Sequence, residues 1–213
     1  MGNARFAYEK GSTGAAAIDD GDSILILLDS LHIGAFDEPG KGEVLVSFSF
    51  STFPRLADEL EPDTVLKELG LPRLKNRTEV DWLRGTALFG PAPVRRSLAL
   101  TASVIELDRG DAAARRVDSI ADFAGRLGSP AGRSASSRGF SMLGSLLAVV
   151  NALNADDLIL QESETFLTTD IDGVPRLREG RIAVQSGHAD PPDRTRMVLS
   201  VKRVPPPAVR RRR

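Results

Sequence analysis

A mainly β protein is the fold this sequence predicts: an antiparallel eight-stranded sandwich, interrupted late by an inserted helical pair. Three observations carry that expectation. Glu43 to Phe50 alternates strictly, with Val44, Val46, Phe48 and Phe50 on one face and Ser47 and Ser49 on the other, which is the period of two of a pleated strand. Ser97 to Asp108 repeats the pattern through Leu98, Leu100, Ala102 and Val104. Turn residues, in Asp37-Glu-Pro-Gly-Lys-Gly42, Asp172-Gly173 and Ser186-Gly187, separate the runs by connections short enough for antiparallel neighbours.

Composition sets the outer bounds. A compact unit of 213 residues buries roughly 70% of its unfolded surface, so a sizeable core is within reach. Hydrophobic residues make up 41% and charged residues 27%, the balance of a soluble globular chain rather than a disordered, collagen-like or membrane-spanning one. With 28 Lys and Arg against 29 Asp and Glu, the net charge is -1, so no overall field draws the chain to nucleic acid or an anionic membrane. Zero cysteines exclude disulfides, thiolate catalysis and cysteine-based zinc sites. With two histidines, metal chemistry must rely on oxygen ligands.

The elements follow in order. Residues 1–22 are small and polar and read as a flexible lead, with no charged segment followed by an apolar one; this points to a cytoplasmic, non-secreted protein. Ser23 to Ile33 is a near-continuous apolar run suited to a buried strand. Glu61 to Leu71 carries Pro62 near its start, Val65, Leu66 and Leu69 at helical spacing and Gly70 near its end, which predicts a short surface helix. Glu79 to Phe89 reads as extended. After the Ser97 to Asp108 strand, Asp111 to Leu127 and Gly139 to Leu153 show helical spacing on either side of the small-residue connector Gly128 to Arg138. Strands resume at Asp157 to Thr169, Arg181 to Gln185 and Arg196 to Val204, and a basic tail over 205–213, ending in four arginines, reads as disordered. The sandwich domain thus covers 23–204, with 109–154 as its helical insertion.

Carboxylates recur at strand ends: Asp37 after the first strand, Glu106 and Asp108 closing the Leu98 row, and Asp156 and Asp157 opening the next strand. Loops at one end of a sandwich lie together, so these five side chains are candidates for a shared calcium ion, which takes six to eight oxygens at about 2.3 to 2.6 Å. Glu106 and Asp108, two apart in a strand, point to one face roughly 7 Å apart.

At this point the sequence resembles the C2 domain family, whose β-sandwiches bind membranes with or without calcium. Leu25 to Phe50, with its acidic turn at Asp37 and the strand EVLVSFSF, is similar to the first two strands and first calcium loop. SLALTASVIELDRG resembles the strand that ends in a carboxylate-x-Asp pair, with Glu106 and Asp108 in those places. NADDLIL resembles the step out of the third calcium loop, and RMVLSVKRV the final strand. The chain departs from the family at Glu106, where Asp is usual, at Gly42-Glu43, where a second acid would stand, and at Leu160, where glycine is usual. It also carries the insertion 109–154 inside the third loop. What the resemblance implies is a calcium-independent interaction module with no cofactor, calcium being the one ion its loops bring into question. It would be a scaffold or membrane-targeting element.

The partner expected for such a module is a protein or an anionic membrane surface, met by the loop end and by the apolar face of the insertion, Phe140, Leu143, Leu147 and Val150. A structural subunit that self-assembles into a homo-oligomer through that face and the edge strands is the alternative. Enzyme activity is not expected. No G-x-S-x-G elbow, P-loop or G-x-G-x-x-G is present, His32 and His188 read as structural or solvated, and a hydrolase would have to be built on Glu106 and Asp108. No nucleic-acid partner is expected, since no groove-reading or RNA-reading motif accompanies the arginine tail.

Overall fold

The computed structural model describes residues 6–11, 15–35, 41–52, 63–107, 158–186 and 193–205. Its architecture is mainly β and antiparallel. Ten strands are present among the described residues: β1 (Ala7–Tyr8), β2 (Ser23–Ile33), β3 (Lys41–Thr52), β4 (Asp63–Lys75), β5 (Thr78–Glu79), β6 (Ala87–Pro93), β7 (Ser97–Leu107), β8 (Leu158–Leu167), β9 (Gly180–Gln185) and β10 (Arg196–Arg203). The number expected was eight; β1 and β5 are two-residue strands with no pattern for a sequence reading to detect. One sheet runs β1-β9-β10-β2-β5, with β6 also pairing β2, and the other runs β4-β3-β7-β8. No helix among the described residues is long and apolar enough to cross a membrane.

The alternation read from the sequence becomes the core. Val44, Val46, Phe48 and Phe50 of β3 and Leu98, Leu100, Ala102 and Val104 of β7 are buried together with Ile24, Ile26 and Leu28 of β2. Two ring contacts close the space between the sheets: Phe50 of β3 lies 5.4 Å from Phe89 of β6, and Tyr8 of β1 meets Phe166 of β8 edge-on at 5.8 Å. Each buried side chain of this size contributes about 1.5 to 3 kcal/mol. The chain on either side of 108–157 shares this core, because β10 pairs β2 and β8 pairs β7.

β2 shows how a strand accommodates an acid within an apolar run. Its pairing with β10 steps from Ser30 opposite Val198 to Leu28 opposite Leu199, which leaves Asp29 as a bulge. The inward row therefore changes phase, from Ile24, Ile26 and Leu28 to Leu31 and Ile33, and all five stay buried. Without the bulge, one half of the strand would turn its apolar side chains to water.

Several expectations are corrected. The helix expected over 61–71 is instead strand in its described part: β4 pairs with β3 from Thr52 opposite Asp63 to Lys41 opposite Lys75, and this long ladder outweighs the weak local preference for helix. The stretch expected over 79–89 is broken into β5, the single 3-10 turn η1 (Asp81–Leu83) and the start of β6. β2 and β3, expected either to pair across the 37–42 turn or to be joined by a turn capping one end of a sheet, belong to opposite sheets, so they are not paired neighbours. The lead over 1–22 is not a free tail in its described part: Phe6 and Ile18 are buried in the core and β1 pairs β9. The expected helices over 111–127 and 139–153 lie outside the described residues, as does the tail over 206–213.

Candidate interaction rim

Strand directions bring four connections to one end of the sandwich. β2 ends and β3 begins there, with Ile33 and Lys41 flanking the Asp37 turn. Lys75 at the end of β4 pairs Lys41, and Leu107 at the end of β7 pairs Glu43. β7 and β8 are antiparallel, so the 108–157 connection both leaves and returns at this end. The β9–β10 connection joins them, because Arg196 at the start of β10 lies opposite both His32 and Gln185.

A tight seam holds three of these connections together. The Gly34 N–H donates to the hydroxyl of Thr195 at 2.9 Å, and the Ala35 N–H donates to the Asp193 carbonyl at 3.1 Å. Thr195 is fully buried and is satisfied by this bond. The Gly34 carbonyl in turn accepts the Arg77 N–H at 3.1 Å. Arg77 has φ 58, a left-handed conformation uncommon for a side chain of its size. Its guanidinium Nε meets Asp193 Oδ1 at 2.5 Å. That hydrogen bond, with the attraction between the two charges, lowers the Asp193 carboxyl below its ordinary range and raises Arg77 further. His32 Nδ1 lies 2.9 Å from Glu79 Oε1, its cross-strand neighbour, which gives this histidine a structural role.

A second group of charges lies on the outer side of the six-stranded sheet. Arg181 reaches Glu9 at 3.1 Å and Asp29 at 2.7 Å, Arg196 also binds Glu9, and Arg84 approaches Asp29 at 3.8 Å. The Asp29 bulge places its carboxylate in this group. These residues were not singled out by sequence reasoning. The one available signal was Asp29 itself, an acid within the apolar run Ile24 to Leu31.

Of the residues expected to form a site, only Glu106 lies among the described ones. It is buried at 6% exposure, opposite Val44, at the end of the inward row of β7. Asp37, Asp108, Asp156 and Asp157 fall outside the described residues, as do Phe140, Leu143, Leu147 and Val150 and His188. Among the described residues no group of three or more His, Cys, Asp or Glu is arranged to hold a metal ion. The acids of the Asp19-Asp20-Gly21-Asp22 turn at the opposite end are used in structural contacts: Asp19 binds Arg176 at 3.0 Å, Asp20 accepts the Arg96 N–H at 2.8 Å, and Asp22 lies 3.4 Å from Arg203. Compared with known proteins, the chain matches no family model, no curated protein and no solved structure.

Proposed function

We propose that this protein is a non-catalytic, C2-like interaction module that binds a protein partner or an anionic membrane surface, without calcium, through the Gly34–Thr195 rim. The observation that carries the reading is the convergence of four connections on that rim, including 108–157, over a rigid two-sheet core. Long connections on a fixed scaffold are the usual carriers of binding. The rim offers charged side chains, Arg77, Asp193 and Glu79, already held in pairs, which suits recognition better than proton transfer. Co-sedimentation with phosphatidylserine vesicles, in calcium and in chelator, tests it. Equal binding in both supports a membrane contact, and no binding in either assigns the rim to a protein. Binding that requires calcium overturns the reading.

Self-assembly as a structural subunit is favoured by one observation. Among the described residues β4 is a 13-residue edge strand, paired on one side by β3, and edges of that length can template association. Light scattering of the eluted protein over a tenfold range of concentration separates the two: a species larger than the monomer at every dilution favours assembly.

A further inference from the structure

The two edges of the four-stranded sheet match one another. Among the described residues those edges are β4 and β8. Because β4, β3, β7 and β8 alternate in direction, β8 runs antiparallel to β4. A second copy shifted sideways, without inversion, therefore brings its β4 beside β8 as an ordinary antiparallel neighbour. Val65 and Gly70 on β4 and Ser163 and Thr165 on β8 are exposed, so water reaches both strands.

The register decides what such neighbours present. Rows straight across the sheet run Lys67–Phe48–Ala102–Glu162, Glu68–Ser47–Ser103–Gln161 and Leu69–Val46–Val104–Leu160. The two ends of each row are complementary: a cation and an anion, a carboxylate and an amide, two leucines. Lys67 and Glu162 stand three strand spacings apart, about 14 Å, so they do not meet within one chain. Two-fold pairing lacks this match. β4 paired with itself about Lys67 or Glu68 sets like charges opposite one another, as does β8 about Glu162 or Glu164, and like charges directly opposite destabilise a sheet.

We propose that β8 of one copy pairs with β4 of the next, Lys67 opposite Glu162 and Leu69 opposite Leu160, so that the four-stranded sheet continues from chain to chain. In that register the Gln161 amide donates to Glu68 Oε1, which is buried without a hydrogen-bond partner in the single chain. The contact joins two different surfaces and does not close on itself. At the usual twist of about 20 to 25° per strand, each copy turns by about 80 to 100°, which swings its wider six-stranded layer away from that of its neighbour. The proposal rests on the self-assembly reading above and does not use the rim.

Light scattering of the full chain is expected to show a mass that rises with concentration past the dimer. Lys67→Glu and Glu162→Lys each set like charges at the seam and should raise the concentration needed for assembly by about tenfold. An equimolar mixture of the two single variants should assemble like wild type, because opposite charges then alternate along every seam. A loss in one variant only, or a mixture no better than its parts, overturns the proposal. Assembly that neither change affects overturns this pairing and leaves self-assembly to another surface. A wild-type chain that is monomeric at every concentration overturns both, and assigns Lys67 and Glu162 to guarding the edges. If a variant loses the strand signal in circular dichroism, cross-linking decides. The chain has no cysteine, and Thr64→Cys with Thr165→Cys in one chain places thiols opposite one another only between copies. A short bis-maleimide should then give a ladder of dimers, trimers and larger species, and absence of the ladder overturns the proposal.

Discussion

Gly34 packs directly on the main chain of Asp193, and a Cβ added to Gly34 would overlap the Asp193 carbonyl. Both partners are backbone, so neither can swing aside. Gly34→Ala must therefore push the β9–β10 connection away and strain the bonds to Thr195 and Asp193. The expected cost is about 3 kcal/mol, read as a lower urea midpoint with an unchanged slope. Gly90, with φ +84 and a Cβ that would overlap the Ile24 carbonyl, is expected to behave alike. Gly21 is the control: φ is +89 but nothing lies within reach, so Gly21→Ala should cost only the backbone strain of about 1 to 2 kcal/mol. Equal losses at all three positions would refute the steric account.

Tyr8 is the single tyrosine of the chain, so an ultraviolet titration reads it alone. Its hydroxyl accepts the Arg178 N–H at 2.7 Å and donates to the Arg178 carbonyl at 3.3 Å. Burial pushes its pKa up to about 12, against the smaller opposing effects of the Arg178 N–H and the Arg178 charge. A folded pKa above the unfolded 10.0 means that this contribution to stability is complete below pH 10 and is lost as pH rises towards 12. The phenolate absorbance is expected to appear near pH 12, or together with unfolding if that comes first. A midpoint near 10 in the folded protein would show that Tyr8 is not held as described.

The sandwich was legible in the sequence where one face of a strand meets the core and the other does not. β3 and β7 announce themselves through Val46 and Leu100 and their neighbours at every second position, and β2 and β10 through the apolar runs around Ile24 and Val201. β4 was not legible. Its apolar residues Val65, Leu66, Leu69 and Leu71 fit a helix as well as an edge strand, and the deciding term is the ladder to β3, which no local pattern contains. The rim was visible only as turn chemistry around Asp37, because the contacts that build it join Gly34, Arg77 and Thr195 across long separations. The link from Arg196 to Glu9 joins the two ends of the chain, and no spacing rule reaches that far.

Arg181 holds Glu9 and Asp29 at once, so its removal leaves Glu9 to Arg196 and Asp29 to the more distant Arg84. Arg181→Gln is expected to cost about 1 kcal/mol at low salt, at the upper end for exposed ion pairs because one guanidinium serves two acids. In 1 M salt, where the screening length falls to about 3 Å, the difference from wild type should shrink by roughly half. A salt-independent loss would assign the effect to packing of the arginine stem instead.

Glu68 presents the opposite electrostatic case. Burial raises its pKa, and Glu68 Oε1 has no hydrogen-bond partner to offset that. The folded protein therefore binds the Glu68 proton more tightly than the unfolded chain. The contribution is complete below the unfolded carboxylate pKa and is lost as pH rises through the raised value, so ionised Glu68 weakens the fold at neutral pH. Glu68→Gln keeps the size and removes the charge. It should be close to neutral at about pH 4 and stabilising by about 0.5 kcal/mol at about pH 7, a modest gain because part of the side chain keeps contact with water. Urea midpoints of the two proteins at both pH values measure it, and the titration of every other carboxylate cancels in the difference. A gain that does not change with pH would mean that the amide found a hydrogen bond which the carboxylate lacked, and that charge burial is not what limits this strand pair.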